Sequence, residues 1–225
     1  MTFLVTVYTN EAIIMAADSR TTFNSTGHYS DTAQKLFLTK NNVGISFCGV
    51  ADVNGHLIQE HIDDFCKNNE SSSIMATISE FDKMCKGLGI GPMSTFYFAG
   101  YDELGDTKKQ IVVKYIPTQN PVLINNAPGA SWDGQTDIIS RLFTQVFVKR
   151  IDENGEDVFI PHDEHPTYFE LFTIQDAIDF ATTSMDIVKG MLRLQNRPVN
   201  VGGPVDMILI TPDKAQWLAH KELHI

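Results

Sequence analysis

The sequence predicts an α+β fold in which sheets are covered by helices in layers, and three observations carry that prediction. Four strand-like segments precede the first helical one, the helical segments come in two consecutive pairs, and one strand-like segment follows the last helix. The resulting order of strands, two helices, strands, two helices and strand lacks the alternating βαβ units that build parallel sheets. With 225 residues, of which 43% are hydrophobic and 20% charged, the chain can bury a core without metal or disulfide staples. One domain spanning residues 1–225 is expected.

Each element has a local reason. Thr2 to Tyr8 is β-branched and aromatic, Thr9-Asn10-Glu11 is turn-forming, and Ala12 to Ala17 is a second apolar run ending at Asp18. After the polar stretch Thr21 to Asp31 come two short strands, Lys35 to Thr39 and Val43 to Cys48, parted by Asn41-Asn42. Asp52 then opens a helical pattern with Val53, Leu57, Ile58, Ile62, Phe65 and Cys66 on one face, and Ile74, Ile78, Phe81 and Cys85 mark a second helix. The glycines of Gly87-Leu88-Gly89-Ile90-Gly91-Pro92 follow a helix and open a strand, the reverse of a phosphate-cradling loop, so they predict a helix end. Ser94 to Gly100, Gln110 to Ile116 and Val122 to Asn125 read as strands. Trp132 to Arg150 predicts a third helix with Ile138, Leu142, Val146 and Phe147 inward. A fourth runs from about Thr173, with Asp176 at N-cap spacing, to Leu194, and Pro204 to Thr211 is the last strand.

Seventeen Lys and Arg against 28 Asp and Glu give a net charge of -11, which disfavours nucleic acid or an anionic membrane as a partner. No run approaches the roughly 18–20 apolar residues of a membrane span. Met1 to Ala17 lacks the basic start of a signal peptide, so a cytoplasmic location is expected. Cys48, Cys66 and Cys85 are odd in number and fit reduced, buried positions. The acidic, turn-rich stretch Ile151 to Leu171 contains His162-Asp163-Glu164-His165-Pro166; prolines bracketing histidines three apart argue for a solvated loop over a metal site.

The chemistry points to the front of the chain. Removal of Met1 makes Thr2 the first residue, and its free α-amine can then act as the base for its own hydroxyl. A threonine hydroxyl is a poor nucleophile, so such a site needs nearby charge to hold the amine neutral and stabilise developing negative charge. Asp18-Ser19-Arg20 and Lys35 are the candidates.

These residues match a known pattern. The chain resembles the proteasome β-subunits and their bacterial relatives, the N-terminal nucleophile hydrolases, over most of its length. Ala16-Ala17-Asp18-Ser19-Arg20 ends the second strand as in that family, and the spacing from Thr2 to Asp18 agrees. Gln34-Lys35-Leu36 fits the family lysine after one extra residue, and Ser46-Phe47-Cys48-Gly49-Val50-Ala51-Asp52 is similar to the turn into its first helix. Lys86-Gly87-Leu88-Gly89, Tyr97-Phe98-Ala99-Gly100-Tyr101-Asp102 and Gly202-Gly203 follow in family order.

The resemblance implies a four-layer αββα sandwich of two antiparallel sheets flanked by helices, and hydrolysis of peptide bonds by a threonine nucleophile. It assigns catalysis to Thr2, Asp18, Arg20, Lys35 and Ser131, with Ser131 assisting the amine. It makes the Gly49 N–H the oxyanion donor and gives Thr21, Phe47 and Ala51 the substrate pocket, which the bulk of Phe47 keeps small or shallow. No metal and no cofactor is implied. A homo-oligomeric ring is, and an ATP-dependent unfoldase is a possible partner. The chain has Gly129-Ala130-Ser131 where the family has serine-glycine-serine, and Pro198 and Val201 where it has an aspartate and a serine, with Asn196 and Asn200 as nearby substitutes. Two other readings therefore stand beside the peptidase: a silent proteasome-like assembly subunit, and an amidase acting on a small-molecule amide.

Overall fold

The computed structural model describes residues 2–22, 28–162 and 165–222. In chain order these form β1 (Phe3–Tyr8), β2 (Ile13–Asp18), β3 (Thr21–Thr22), β4 (Tyr29–Ser30), β5 (Leu36–Leu38), β6 (Gly44–Cys48), β7 (Asp52–Val53) and β8 (His56–Leu57). The helices α1 (Ile58–Asn68) and α2 (Ile74–Leu88) follow, then β9 (Thr95–Leu104), β10 (Thr107–Tyr115), β11 (Val122–Leu123) and β12 (Gly129–Gly134). The last part holds α3 (Asp137–Phe143), β13 (Phe147–Ile151), β14 (Asp157–Pro161), a short 3-10 turn (Phe169–Leu171), α4 (Ile174–Leu194), β15 (Val205–Ile210) and β16 (Ala215–Ala219).

Two five-stranded sheets dominate, in the orders β12-β1-β2-β15-β16 and β11-β10-β9-β6-β5. Neighbouring strands in both run antiparallel. Strand alternation explains why β1 is buried along its whole length. Phe3, Val5 and Val7 join a cluster with Ile138 and Ile139 of α3 and Ala177, Ala181, Met185, Val188 and Leu192 of α4. Leu4 and Tyr8, one step out of phase, join Ile13 and Met15 from their own sheet and Leu36, Tyr97, Ala99 and Val112 from the other. A third cluster sets Phe37, Ile45, Phe96 and Phe98 against Ile58 and Ile62 of α1 and Ile74, Ile78 and Phe81 of α2. At its centre the Phe81 ring meets Phe65, Phe96 and Phe98 edge-on at 5.0, 4.8 and 5.1 Å.

The helix ends obey local chemistry. Ser73 Oγ accepts from the Ala76 N–H, and Gly89, with φ +71°, ends α2 in the left-handed conformation. Thr173 and Asp176 form a reciprocal capping box on α4.

Three expectations need correction. The Trp132–Arg150 segment is not one helix: only Asp137–Phe143 is helical, β12 precedes it and β13 follows. Ile138 is buried, but Leu142, Val146 and Phe147 are exposed, so the apolar spacing continued past the helix by coincidence. Residues 129–134 extend because they close the open edge of β1, and Val146-Phe147-Val148 favours a strand. The first helix begins at Ile58, since Asn54 (φ 55°) and Gly55 (φ 82°) turn Asp52–Leu57 into a small hairpin. The Ile151–Leu171 stretch contains β14 and the 3-10 turn; Asp163 and Glu164, on which part of that reading fell, lie outside the described residues. β16 was not anticipated. Among the described residues no helix is long and apolar enough to cross a membrane, and no group of three or more His, Cys, Asp or Glu could hold a metal ion.

Candidate active site

Asp18 ends β2 with no solvent exposure, and its carboxylate accepts four hydrogen bonds. Oδ1 takes the Phe3 N–H at 3.0 Å and Lys35 Nζ at 2.9 Å. Oδ2 takes the Arg20 N–H at 3.1 Å and the Gly202 N–H at 3.0 Å. A single buried carboxylate thus fixes the start of β1, the turn after β2, the loop before β15 and a lysine that precedes β5 in the other sheet. Charge-assisted bonds from four donors satisfy a group that is otherwise costly to bury.

Lys35 is itself almost fully buried and also donates to the Arg20 carbonyl. Burial pulls its ammonium below the usual lysine value, while Asp18 opposes the shift. Thr2 is buried at the head of β1, and its carbonyl accepts the Gln135 N–H at 2.7 Å. Gly134, φ +87°, makes that approach possible: a Cβ there would lie 1.9 Å from the Thr2 carbonyl oxygen.

The Arg20 side chain turns away from Asp18. Its Nε and Nη2 donate to the two oxygens of Asp31 at 2.7 Å each, and Nη1 donates to the Val199 carbonyl at 3.2 Å. Tyr29 lies over the guanidinium, 3.7 Å from its ring centroid. The hydrogen bond from Arg20 holds the Asp31 carboxyl below the usual aspartate value. Gly202 and Gly203 pack so tightly here that added Cβ atoms would lie 2.6 Å from Arg20 Cζ and 2.8 Å from Asp31 Cβ.

Thr2, Lys35 and Gly49 line one cavity of about 690 Å³, together with Thr21, Phe47 and Ala51. Thr22, Ser30, Thr32 and Gln59 add polar groups to it, and Val50, Leu57 and Ile58 add apolar ones. Gly49 has φ +132°, and a Cβ would meet the Met93 carbonyl oxygen at 2.4 Å, so no other residue fits that backbone. The neighbouring Cys48 thiol is pushed up to about 12 by burial and supplies no thiolate.

Ser131 is not brought to this cavity. The register pairs it with Thr6, four residues beyond Thr2, and its hydroxyl meets Tyr8 Oη at 3.3 Å. The side of β12 near Thr2 carries Gln135 instead, whose Oε1 accepts Asn200 Nδ2 at 3.2 Å. Asn200 Oδ1 is buried without a hydrogen-bond partner. Val201 is buried in the α3–α4 cluster. Sequence reasoning missed Asp31 and Gln135: Asp31 sits in an undistinguished polar stretch, and Gln135 contributes a backbone group that any residue but proline could supply. Volume alone does not select the site, because a cavity of about 730 Å³ at the other end of β12 contains none of the expected catalytic residues.

No protein-family profile matches the chain, and no curated protein matches it. Among solved structures, the chain is similar to the Anbu (Gly-1) mutant from Hyphomicrobium sp. strain MC1, with a TM-score of 0.63 and 15% sequence identity. The match covers 98% of this chain and 86% of the other. At that identity the likeness is one of fold alone.

Proposed function

We propose that the chain is a proteasome-like amide hydrolase that cleaves peptide bonds through Thr2 once Met1 is removed. The observation that carries the reading is the meeting of Thr2, Lys35 and Gly49 in one cavity, with Lys35 anchored on a fully buried Asp18. The Thr2 hydroxyl attacks the carbonyl carbon and gives its proton to the Thr2 amine. The C–N bond then breaks as that proton passes to the leaving amine, and water hydrolyses the resulting ester. Lys35 lowers the basicity of the amine electrostatically, Asp18 orients Lys35, and Arg20 braces the loops around Asp18 through Asp31 and Val199. The Gly49 N–H stabilises the oxyanion, and Thr21, Phe47 and Ala51 shape the substrate pocket. Ser131 has no part in this version, since its hydroxyl sits with Tyr8.

The same reading makes residues 1–225 one domain, a four-layer αββα sandwich, and the three hydrophobic clusters support it. It also predicts a homo-oligomer and a cytoplasmic location, and the three buried, unbridged cysteines fit a reducing setting. A silent assembly subunit is the competing reading, favoured by an apolar, buried Val201 where the family has a serine. Treating the untagged protein with a peptide epoxyketone, which needs both the hydroxyl and the amine of an N-terminal threonine, separates the two by intact mass. A chain without Met1 carrying one adduct, absent in Thr2→Ala, is expected. Retention of Met1, or a free Thr2 that never reacts, refutes the hydrolase.

A further inference from the structure

Among the described residues the hairpin β13–β14 is a two-stranded sheet with no third strand, and all ten of its residues are exposed. A hairpin of this kind is marginal in water unless something covers it. Its register pairs Phe147 with Pro161, Lys149 with Phe159 and Ile151 with Asp157. These six residues share one face by strand alternation. On that face Phe147, Ile151 and Phe159 are 56%, 71% and 63% exposed, the signature of an interaction surface more than of a soluble loop. Of these six residues two are charged, Lys149 and Asp157, whose Nζ and Oδ2 lie 2.7 Å apart.

That charge pattern selects the occupant. The chain as a whole carries a net charge of -11, so two copies repel over most of their surface. This face has one cation and one anion and is neutral. A two-fold axis lying in the contact plane, perpendicular to the line from Lys149 to Asp157, sets each ammonium against the other copy's carboxylate. The same operation sets Ile151 and Phe159 each against its own counterpart in the other copy, as an isologous contact requires, with Phe147 at the margin of the contact. We infer that the Phe147–Ile151–Phe159 face of the hairpin is an interface between two copies of this chain. The inference gives the oligomer proposed above a surface, and it holds or fails independently of the chemistry at Thr2.

The test is light scattering on the full chain after size exclusion. The wild type is expected as an assembly of at least two copies, and Phe147→Ser with Phe159→Ser is expected to reduce its mass. Lys149→Asp and Asp157→Lys are each expected to weaken assembly by about tenfold at ~0.15 M salt. Mixing those two variants in equal amounts is the decisive step. The pair stays broken within each chain, yet it re-forms between a Lys149→Asp copy and an Asp157→Lys copy, so a mixed assembly should appear. Because all four substituted side chains are exposed in the single chain, each variant is expected to unfold cooperatively in urea, its midpoint below the wild type's only by the mass-action contribution of the lost contact. A monomeric wild type, variants of unchanged mass, or no recovery on mixing each overturns the inference.

Discussion

Replacing Asp18 by alanine removes the acceptor of four donors in one step. Three are backbone N–H groups, and each costs roughly 1–3 kcal/mol if left buried without a partner. The fourth is the Lys35 ammonium, and breaking a buried ion pair by deleting one member typically costs about 3–5 kcal/mol. The contributions do not add fully. Lys35 keeps the Arg20 carbonyl as an acceptor and, already pulled below the usual lysine value, it can shed its proton. Water can also enter the space left by the carboxylate. A net loss of about 4–6 kcal/mol is expected, a large part of the ~5–15 kcal/mol of an ordinary domain. Urea unfolding followed by Trp132 and Trp217 fluorescence measures it, and at a slope of about 2–3 kcal/mol/M the midpoint should fall by about 2 M. Adding Lys35→Met should recover part of the loss, because the orphaned charge is then gone. An Asp18→Ala protein within about 1 kcal/mol of wild type would refute the claim that this carboxylate organises the site.

Three further outcomes follow from the same geometry. Asp31 titrates below its usual 3.8 because of Arg20, so its contribution is fully present above that value and is lost as pH falls through the lowered one. Acid titration of stability should therefore show a smaller loss in Asp31→Asn than in wild type; identical slopes would count against the Arg20–Asp31 pair. Burial pushes Cys48, Cys66 and Cys85 each up to about 12, so the native chain should resist alkylation at neutral pH and all three thiols should react in urea. Native labelling at the unfolded rate would contradict that burial. Gly134→Ala should lose about 1–2 kcal/mol from the left-handed backbone alone. It should also lose the epoxyketone adduct, since its methyl collides with the Thr2 carbonyl, and an unimpaired adduct rate would show that this contact does not position Thr2.

Much of the molecule was legible because its cause is local. Apolar and β-branched runs between turn residues marked β1, β2, β6, β9, β10 and β15, helical spacing marked α2 and α4, and Thr173 with Asp176 marked the start of the longest helix. The Asn54-Gly55 turn was equally local, yet the apolar spacing of Val53 and Leu57 concealed it. The Asp18-Ser19-Arg20 and Lys35 candidates came from residue type and their order from the family resemblance, and the structure joins Asp18 to Lys35 by a direct contact. Other features depend on partners far away in the chain. β12 is a strand because β1 offers an open edge more than a hundred residues earlier, and the same register carries Ser131 away from Thr2 while bringing Gln135 to it. Asp31 matters only because Arg20 turns toward it.

By itself, then, the sequence determined periodicity, caps, charge and the chemical types available at the front of the chain, all of which act within a few residues. Tertiary structure alone decided which of those groups meet. It set a carboxylate at the end of one sheet against a lysine from the other and aligned the backbone of Gln135 with Thr2. Among the described residues it also paired β13 with β14 alone. Strand pairing and sheet packing bring distant residues together, and no local pattern encodes which of them will touch.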